Sequence, residues 1–223
     1  MISTYNLRHL LVPGLHNSGP GHWQTAWEQT RRDCTRVQMG SWDSPDAAEW
    51  TSAIARAIED ATTPVLFAAH SLGCLAVALW AAKAKPAALA KVRGALLVAP
   101  PDVRGQDAPP TLVQFRDAHE KPLPFRSILV ASRNDPYATF QSSLRMAALW
   151  GARVVDAGDA GHINAESRLG DWEEGQSYLL SLILGPALSR VDVKADTAKS
   201  TRDLVTLRGR LAPPARAGGV HRA

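Results

Sequence analysis

Short apolar runs alternate with amphipathic stretches along most of this chain. The runs predict strands over residues 7–12, 34–39, 64–69, 94–99, 127–131 and 153–156. The stretches between them predict helices over 22–32, 46–60, 72–85, 136–150 and 171–184. Strands that are apolar throughout and alternate with helices indicate a parallel sheet covered on both faces. We therefore predict a doubly wound α/β domain, whose ligand lies beyond the carboxyl ends of the strands.

Two segments depart from this pattern. Residues 102–124 contain four prolines and mixed charge, so we predict a loop with little regular structure there. Residues 188–223 lack sustained periodicity and carry eight Lys/Arg residues against three acidic ones. We expect a globular domain over residues 1–187, followed by a basic C-terminal tail over 188–223 that is disordered or weakly helical.

Composition narrows the class of protein. The whole chain has a net charge of +4, but residues 188–223 carry +5, which leaves residues 1–187 near neutral. A nucleic-acid partner is therefore not expected for the globular part. Cys34 and Cys74 are too few for a disulfide framework, and no CxxC spacing indicates a metal site. Because we recognise neither a signal peptide nor a run of about 18 apolar residues, we expect a cytoplasmic protein that does not enter a membrane.

A candidate nucleophile lies where a predicted strand meets a predicted helix, in the sequence AHSLG over residues 69–73. A serine in such an elbow is forced to the top of the sheet with its hydroxyl exposed, so Ser71 is the predicted nucleophile. Ala69 replaces the first glycine of the usual GxSxG pattern, and Gly73 supplies the second. The amide of Leu72 begins the helix and can donate to an oxyanion. The alternative is that Ser71 only caps the helix.

A base and an acid follow Ser71 in the chain order expected for this kind of fold. His162 is the one histidine in a loop after a late strand, and Asp135 follows the strand before it. A catalytic Ser71–His162–Asp135 triad is the prediction. Alternatively, Asp135 is a helix cap and His162 an ordinary surface-loop histidine. Other acids that compete for the orienting role are Asp102, Asp156 and Asp159.

The loop after the first strand, PGLHNSG over residues 13–19, is the candidate second half of an oxyanion hole. We expect the Leu15 amide to donate there, with the His16 amide as the alternate. His16 and His22 resemble metal ligands, but no carboxylate or cysteine is spaced to complete a site, so no metal or other cofactor is expected. Cys74 is interpreted as a small core residue.

Several segments together resemble one known group of proteins. They are VPGLHNSGPGHWQTAWE, QMGSWDSPDAAEWTSAI, AAHSLG, SRNDPY and AGHIN. From residue 7 to 184 the chain is similar to the small retinoblastoma-binding-protein-type serine hydrolases of the α/β-hydrolase superfamily. The resemblance implies a domain without a lid, a Ser71–Asp135–His162 triad, and hydrolysis of esters or amides of small substrates. One branch also binds the retinoblastoma protein, but no LxCxE-type segment supports that role here.

A site without a cap would be open, which favours small or flexible acyl groups. The interval 100–126 is too short and too rich in proline for a substantial cap. Candidate substrate contacts are His16, His70, Trp42 and Trp50, although each tryptophan also fits core packing.

The functional prediction is a serine hydrolase that forms an acyl-enzyme on Ser71 and releases it with water. Two alternatives stay open. The same triad would serve an acyltransferase or perhydrolase, and a vestigial site would suit a binding or regulatory protein.

Overall fold

The structure of this 223-residue chain is a computed structural model, which describes residues 7–104, 109–119 and 121–184. The strands are β1 (Arg8–Val12), β2 (Cys34–Arg36), β3 (Val65–His70), β4 (Val92–Val98), β5 (Ser127–Ala131) and β6 (Arg153–Asp156). The α-helices are α1 (Trp23–Thr30), α2 (Ala47–Asp60), α3 (Leu72–Lys83), α4 (Pro86–Leu89), α5 (Phe140–Trp150) and α6 (Glu173–Leu184). Two 3₁₀ helices cover Pro110–His119 and Ala165–Ser167. The predicted tail, 188–223, lies outside the described residues.

All six strands form one parallel sheet in the order β2-β1-β3-β4-β5-β6. The predicted doubly wound α/β fold is therefore confirmed. In the register of the sheet, Val12 lies beside Ala69, His70 beside Val98, and Ala131 beside Asp156. Each of these pairs includes the last residue of a strand. The loops that follow β1, β3, β5 and β6 therefore emerge along one edge of the sheet.

A hydrophobic core covers each face of the sheet. One core packs α2, α3, α5 and the 3₁₀ helix Pro110–His119 against alternate strand residues such as Phe67 and Leu97. The other packs α1 and α6 against the intervening residues, with Trp23 and Trp27 fully buried in it. Because successive strand side chains point to opposite faces, apolar residues at every position are needed to fill both cores.

The prediction of an irregular loop over 102–124 was wrong. The 3₁₀ helix Pro110–His119 occupies much of that interval, and Leu112, Phe115 and Ala118 are its buried positions. A spacing of three residues matches the period of a 3₁₀ helix. Proline is tolerated in the first turn, where an amide hydrogen has no partner within the helix, so Pro110 does not prevent it.

Several helix boundaries differ from the predictions, most of all at α5. Helix α5 begins at Phe140 instead of residue 136, because the Thr139 side chain accepts a hydrogen bond from the Ser142 amide and caps it. Helix α3 ends at Lys83 instead of residue 85, and the short helix α4 begins at Pro86. Asp46 caps α2, since its carboxylate accepts from the Glu49 amide at 2.8 Å.

None of the helices in the described ranges is both long and apolar enough to cross a bilayer.

Candidate active site

Ser71 lies in a sharp turn between β3 and α3, with φ of 53° and ψ of −127°. A positive φ is unusual for a residue that has a Cβ, and such strain is typical of a nucleophile elbow. Ser71 occupies the N-cap position of α3, but its side chain makes no capping hydrogen bond. The interpretation of Ser71 as an ordinary helix cap is therefore wrong.

Two glycines let other backbone segments approach this turn closely. A Cβ added to Gly14 would lie 2.7 Å from the Ser71 Cβ, and one added to Gly73 would lie 2.3 Å from the Val12 carbonyl oxygen. Neither position has room for a methyl group. The loop after β1 is thereby brought against Ser71, as a site at the carboxyl edge of the sheet requires.

A buried glutamine, which the sequence did not single out, joins the ends of two strands beneath this loop. The Gln24 side-chain nitrogen donates to the Ala68 carbonyl at 2.8 Å and to the Val12 carbonyl at 3.3 Å. Its oxygen accepts from the Ser18 hydroxyl at 2.5 Å. Gln24 is fully buried, so these bonds satisfy polar groups that water does not reach.

His162 connects the candidate nucleophile with the candidate acid. Its Nε2 is 2.9 Å from the Ser71 hydroxyl oxygen, and its Nδ1 is 3.0 Å from each carboxylate oxygen of Asp135. The side chains of His162 and Asp135 are 9% and 3% exposed. With the ring proton on Nδ1, Nε2 is free to accept the serine proton, which is the arrangement of a general base. The structure thus brings together the three side chains predicted from the sequence.

The alternative roles for the acids do not fit the structure. Thr139, not Asp135, caps α5, and the Asp135 carboxylate instead accepts from the Tyr137 amide at 2.9 Å. Asp156 is paired with Arg133 at 2.7 Å. The Asp102 carboxylate accepts from the Arg104 amide. Within the described ranges, Asp135 is the carboxylate hydrogen-bonded to His162.

A hydrogen-bonded network fixes the loop that carries His162 to the loop that carries Asp135. The Asn134 side-chain oxygen accepts from the Gly161 amide at 2.7 Å, and the Ser132 hydroxyl oxygen accepts from the Ala160 amide at 3.0 Å. The Ser132 hydroxyl in turn donates to Asn134. Ser132 and Asn134 lie in the SRNDPY segment, but their anchoring role depends on partners 28 and 27 residues away and could not be inferred from that segment.

His70 was a candidate substrate contact, and the structure corrects this. Its side chain is buried, and its Nε2 lies 2.9 Å from the backbone carbonyl oxygen of His162. The rings of His70 and His162 are edge to face, with centroids 4.8 Å apart. Burial, helped by the nearby His22 and His162 rings, holds the His70 pKa well below its usual range. His70 therefore lies behind the imidazole of His162, as a neutral ring.

The amides predicted to bind the oxyanion differ in whether they already donate a hydrogen bond within the protein. The Leu15 and Leu72 amides have no hydrogen-bond partner among the described residues, whereas the His16 amide donates to the Trp42 carbonyl at 3.0 Å. The alternate prediction, the His16 amide, is therefore wrong because that group is already bonded. Leu72 also begins α3, so the positive end of a helix dipole adds to its amide.

The remaining candidate substrate contacts separate into exposed and buried ones. The His16 side chain is 70% exposed and hydrogen-bonded to Asp43 at 2.8 Å. Trp42 is half-buried, with its ring 5.9 Å from that of Trp50. Trp50 is fully buried, and its indole nitrogen donates to the Ser41 carbonyl. The prediction that Trp50 lines the site is wrong, because its ring is part of the core.

A second cluster of ionisable side chains lies near the start of β1, away from Ser71. The side chains of His9, Asp33 and Cys34 offer ligand atoms within 4.8 Å of one another, as a metal site would. Arg31 already places a cation there, 2.8 Å from Asp33 and 3.0 Å from the His9 Nδ1. The Arg31 guanidinium thus compensates the negative charge that these groups would offer to a metal ion.

Cys74 has the role that the sequence suggested. Its side chain is fully buried, and the sulfur lies 3.5 Å from the Val98 carbonyl oxygen. Burial raises the pKa of the Cys74 thiol, so it stays protonated at neutral pH.

The fold and this arrangement of side chains define an α/β-hydrolase, and comparison with known proteins agrees. The sequence profile of the serine hydrolase family matches residues 9–181, so the chain belongs to that family. The resemblance to small serine hydrolases is therefore confirmed, and the protein is an enzyme of the carboxylesterase-like hydrolase type.

Comparison with solved structures agrees with this assignment. A YdeN-like hydrolase of Pectobacterium atrosepticum is 32% identical, with a TM-score of 0.70 over 80% of this chain and 91% of its own. The ydeN gene product of B. subtilis is 17% identical, with a TM-score of 0.62 over 81% of this chain and 100% of its own. Est1E of Butyrivibrio proteoclasticus is 14% identical, with a TM-score of 0.61 over 81% and 89%. The last two show the fold alone. No curated protein matches the sequence.

Proposed function

We propose that this enzyme hydrolyses small carboxylic esters or amides through an acyl-enzyme on Ser71. The observation that supports this most directly is the connected set of hydrogen bonds around His162. One ring nitrogen is 2.9 Å from the Ser71 hydroxyl, and the other is 3.0 Å from the Asp135 carboxylate. A serine hydroxyl is a weak nucleophile until a base takes its proton, and this geometry supplies the base and its orienting acid.

In the first half of the reaction, the Ser71 oxygen attacks the substrate carbonyl carbon while its proton passes to Nε2 of His162. The tetrahedral intermediate collapses, and the imidazolium returns that proton to the leaving alcohol or amine. In the second half, His162 takes a proton from water, and the resulting hydroxide attacks the acyl-enzyme. The carboxylic acid leaves with Ser71 reprotonated. Asp135 stays ionised throughout, holding the imidazole in one tautomer and stabilising its positive charge.

The negative charge of the tetrahedral intermediate needs hydrogen-bond donors. The amides of Leu72 and Leu15, which have no hydrogen-bond partner in the described part of the chain, are the proposed donors, because one begins α3 and the other follows Gly14, which packs against Ser71. Fixed backbone amides need no rearrangement when the charge develops, which is why such donors contribute strongly to the rate.

Substrates are proposed to be small and to approach over an open face. The Tyr137 side chain is 60% exposed, and its ring lies 4.5 Å from the His162 ring, edge to face. Together with the exposed His16 and the half-buried Trp42, it is a candidate wall of the acyl or leaving-group site. The cytoplasmic location stays a prediction, as does the absence of a nucleic-acid partner.

A series of p-nitrophenyl esters from acetate to octanoate tests the proposal. The wild type should hydrolyse the shorter esters, and Ser71→Ala should lose about 10³-fold or more in kcat/KM. Ser52→Ala is the matched control, because Ser52 is exposed on α2 and bonds only within that helix. Wild-type rates in Ser71→Ala would contradict the proposal. Addition of an alcohol acceptor separates hydrolysis from acyl transfer by the products formed.

A further inference from the structure

The backbone at His162 is held in an unfavourable conformation by groups from other elements. Ile163, directly after His162, has a φ of 50°, which is a rare value for a β-branched residue. Such a conformation persists only where its surroundings impose it. The placement of the His162 imidazole over Ser71 therefore depends on whatever holds this pair of residues.

Two buried ring N–H groups hold it. The His70 Nε2 is 2.9 Å from the His162 carbonyl oxygen, and the Trp23 Nε1 donates to the Ile163 carbonyl oxygen at 3.0 Å. His70 is 5% exposed and Trp23 is fully buried, so both donors are shielded from water. Successive carbonyls of the strained turn are thus fixed by donors from the end of β3 and the start of α1.

His70 adjoins the nucleophile in the chain. Ser71 is the next residue, and its amide donates to the Val98 carbonyl at 2.9 Å. One stretch of backbone therefore carries the attacking hydroxyl and, one residue earlier, the donor that anchors the loop of the base. The distance between Ser71 and His162 is therefore fixed locally, by the hydrogen bond from His70 to the His162 carbonyl, and does not depend on the packing of the whole domain.

The protonation state of His70 suits this role. A carbonyl oxygen only accepts, so the ring proton must be on Nε2. The titratable groups beside this ring are His162 and His22, with centroids at 4.8 and 4.6 Å, and the Trp23 ring lies 6.3 Å away. Burial and the two histidine rings keep the His70 pKa well below its usual range. A neutral neighbour does not oppose the positive charge that His162 acquires when it takes the serine proton.

We propose that His70 is a positioning residue, which holds His162 in line with Ser71 through the hydrogen bond from its Nε2 to the His162 carbonyl, with Trp23 as its partner at Ile163. This inference rests on the proposed function of Ser71. His70 is buried behind His162, so its loss should act on the chemical step more than on substrate binding. A displacement of about 1 Å between reacting groups costs about 10²-fold in rate.

A pair of substitutions at this position tests the hydrogen bond. His70→Leu removes the donor, and His70→Gln keeps a side-chain nitrogen that can reach the same carbonyl. We expect kcat on p-nitrophenyl acetate to fall about 10- to 100-fold in His70→Leu with KM within about twofold, and to recover most of that loss in His70→Gln. When kcat/KM is plotted against pH, the midpoint of the fall on the acid side should be the same in His70→Gln as in the wild type, because His70 carries no charge.

The control is His9→Gln, which replaces another buried histidine far from Ser71 and should leave kcat unchanged. Thermal unfolding of each variant shows whether it folds. If His70→Leu does not fold, Trp23→Phe removes the donor to Ile163 while keeping an aromatic ring, and it should also lower kcat without raising KM.

The rate of labelling by a fluorophosphonate separates this inference from the proposed function. A wild type that never reacts would contradict the function of Ser71 itself. A wild type that reacts, with folded His70→Leu labelled and turning over at the same rate, would overturn the role of His70 and leave that of Ser71 intact. A folded His70→Gln that recovers none of the lost kcat would also overturn it.

Discussion

Two histidines of this domain each contact an aspartate at nearly the same distance, but the groups around them differ. His162 and Asp135 lie at the carboxyl ends of the strands, 3.0 Å apart, and His9 and Asp33 lie near the amino end of β1, 2.9 Å apart. A candidate nucleophile is near each pair, Ser71 in one case and Cys34 in the other. Residue types and distances alone would not distinguish a catalytic cluster from a structural one.

The difference is in which ring nitrogen each partner contacts. Asp135 and Ser71 contact opposite nitrogens of His162, so a proton can leave the serine on one side while the carboxylate holds the other. Asp33, Arg31 and Cys34 all approach Nδ1 of His9. A thiol and a carboxylate that share one nitrogen cannot form a relay across the ring.

The cluster around His9 also differs from that around His162 in how the charge of its aspartate is compensated. The guanidinium of Arg31 bonds both carboxylate oxygens of Asp33, which lowers the pKa of that carboxyl and raises that of Arg31. Burial lowers the pKa of His9 to about 4 and raises that of Cys34 to about 12. At neutral pH the thiol is therefore protonated, and this cluster joins α1, β1 and β2 without a reactive group.

The largest expected effect comes from substituting the aspartate that contacts each histidine. Asp135→Asn should lower kcat about 10⁴-fold, because an amide stabilises the wrong tautomer of the histidine and cannot offset its positive charge. Asp33→Asn is the matched substitution in the other cluster and should leave kcat within about twofold. Steady-state hydrolysis of p-nitrophenyl acetate measures both. Equal losses in the two variants would mean that the clusters are not functionally different.

A smaller effect is expected from the glycine that packs against Ser71. Gly14→Ala places a methyl group 2.7 Å from the Ser71 Cβ and 3.1 Å from the Leu72 amide, so the elbow and the proposed oxyanion donor must shift. Loss of one oxyanion donor costs about 10²- to 10³-fold in kcat, and we expect a loss of that order.

Gly19→Ala is the control in the same loop, because an added Cβ there meets nothing within 4 Å. Its kcat should match that of the wild type. A Gly14→Ala enzyme with wild-type kcat would show that this loop does not support the reaction.

The sequence predicted the site better than it predicted the groups that support it. Strands β5 and β6 were located to the residue, and Asp135 and His162 followed because chain order and strand ends are local features. The 3₁₀ helix Pro110–His119 is not evident from the sequence because the four prolines of residues 102–124 favour a loop, although its buried residues recur every three positions. Thr139 was not recognised as the residue that starts α5.

Roles that depend on distant partners were not accessible from the sequence. His70 looked like a substrate contact because it precedes Ser71, but it bonds to a carbonyl 92 residues later. Trp50 looked like a wall of the site, and the packing of α2 buries it. The cluster around His9 is not evident from the sequence because its members, on β1, on β2 and in the segment before β2, meet only when the strands pair.

The smallest effect expected concerns acid stability, and it compares the histidines themselves. Burial is the main cause that lowers the pKa of His22 to about 3, with Arg36 and His162 adding to it, and its Nδ1 accepts from the Gln24 amide. Since the native state binds fewer protons than the unfolded chain, stability is complete above about pH 6.5 and falls as the pH drops below it.

His22→Asn keeps an acceptor for the Gln24 amide but does not titrate. Between pH 7 and pH 4.5 its free energy of unfolding should fall by about 2 kcal/mol less than that of the wild type. Urea unfolding at several pH values measures this. Parallel pH dependences in the two proteins would contradict a neutral, buried His22.

Ser71, activated by His162, is the proposed nucleophile, and covalent labelling tests this role most directly. The wild type would be treated with a fluorophosphonate, digested, and the modified residue located by mass spectrometry, alongside Ser71→Ala and Cys34→Ala. We expect one phosphonate per chain on Ser71, equal labelling of Cys34→Ala, and no labelling of Ser71→Ala. Labelling of Ser71→Ala at the wild-type rate, or an adduct on another residue, would contradict it.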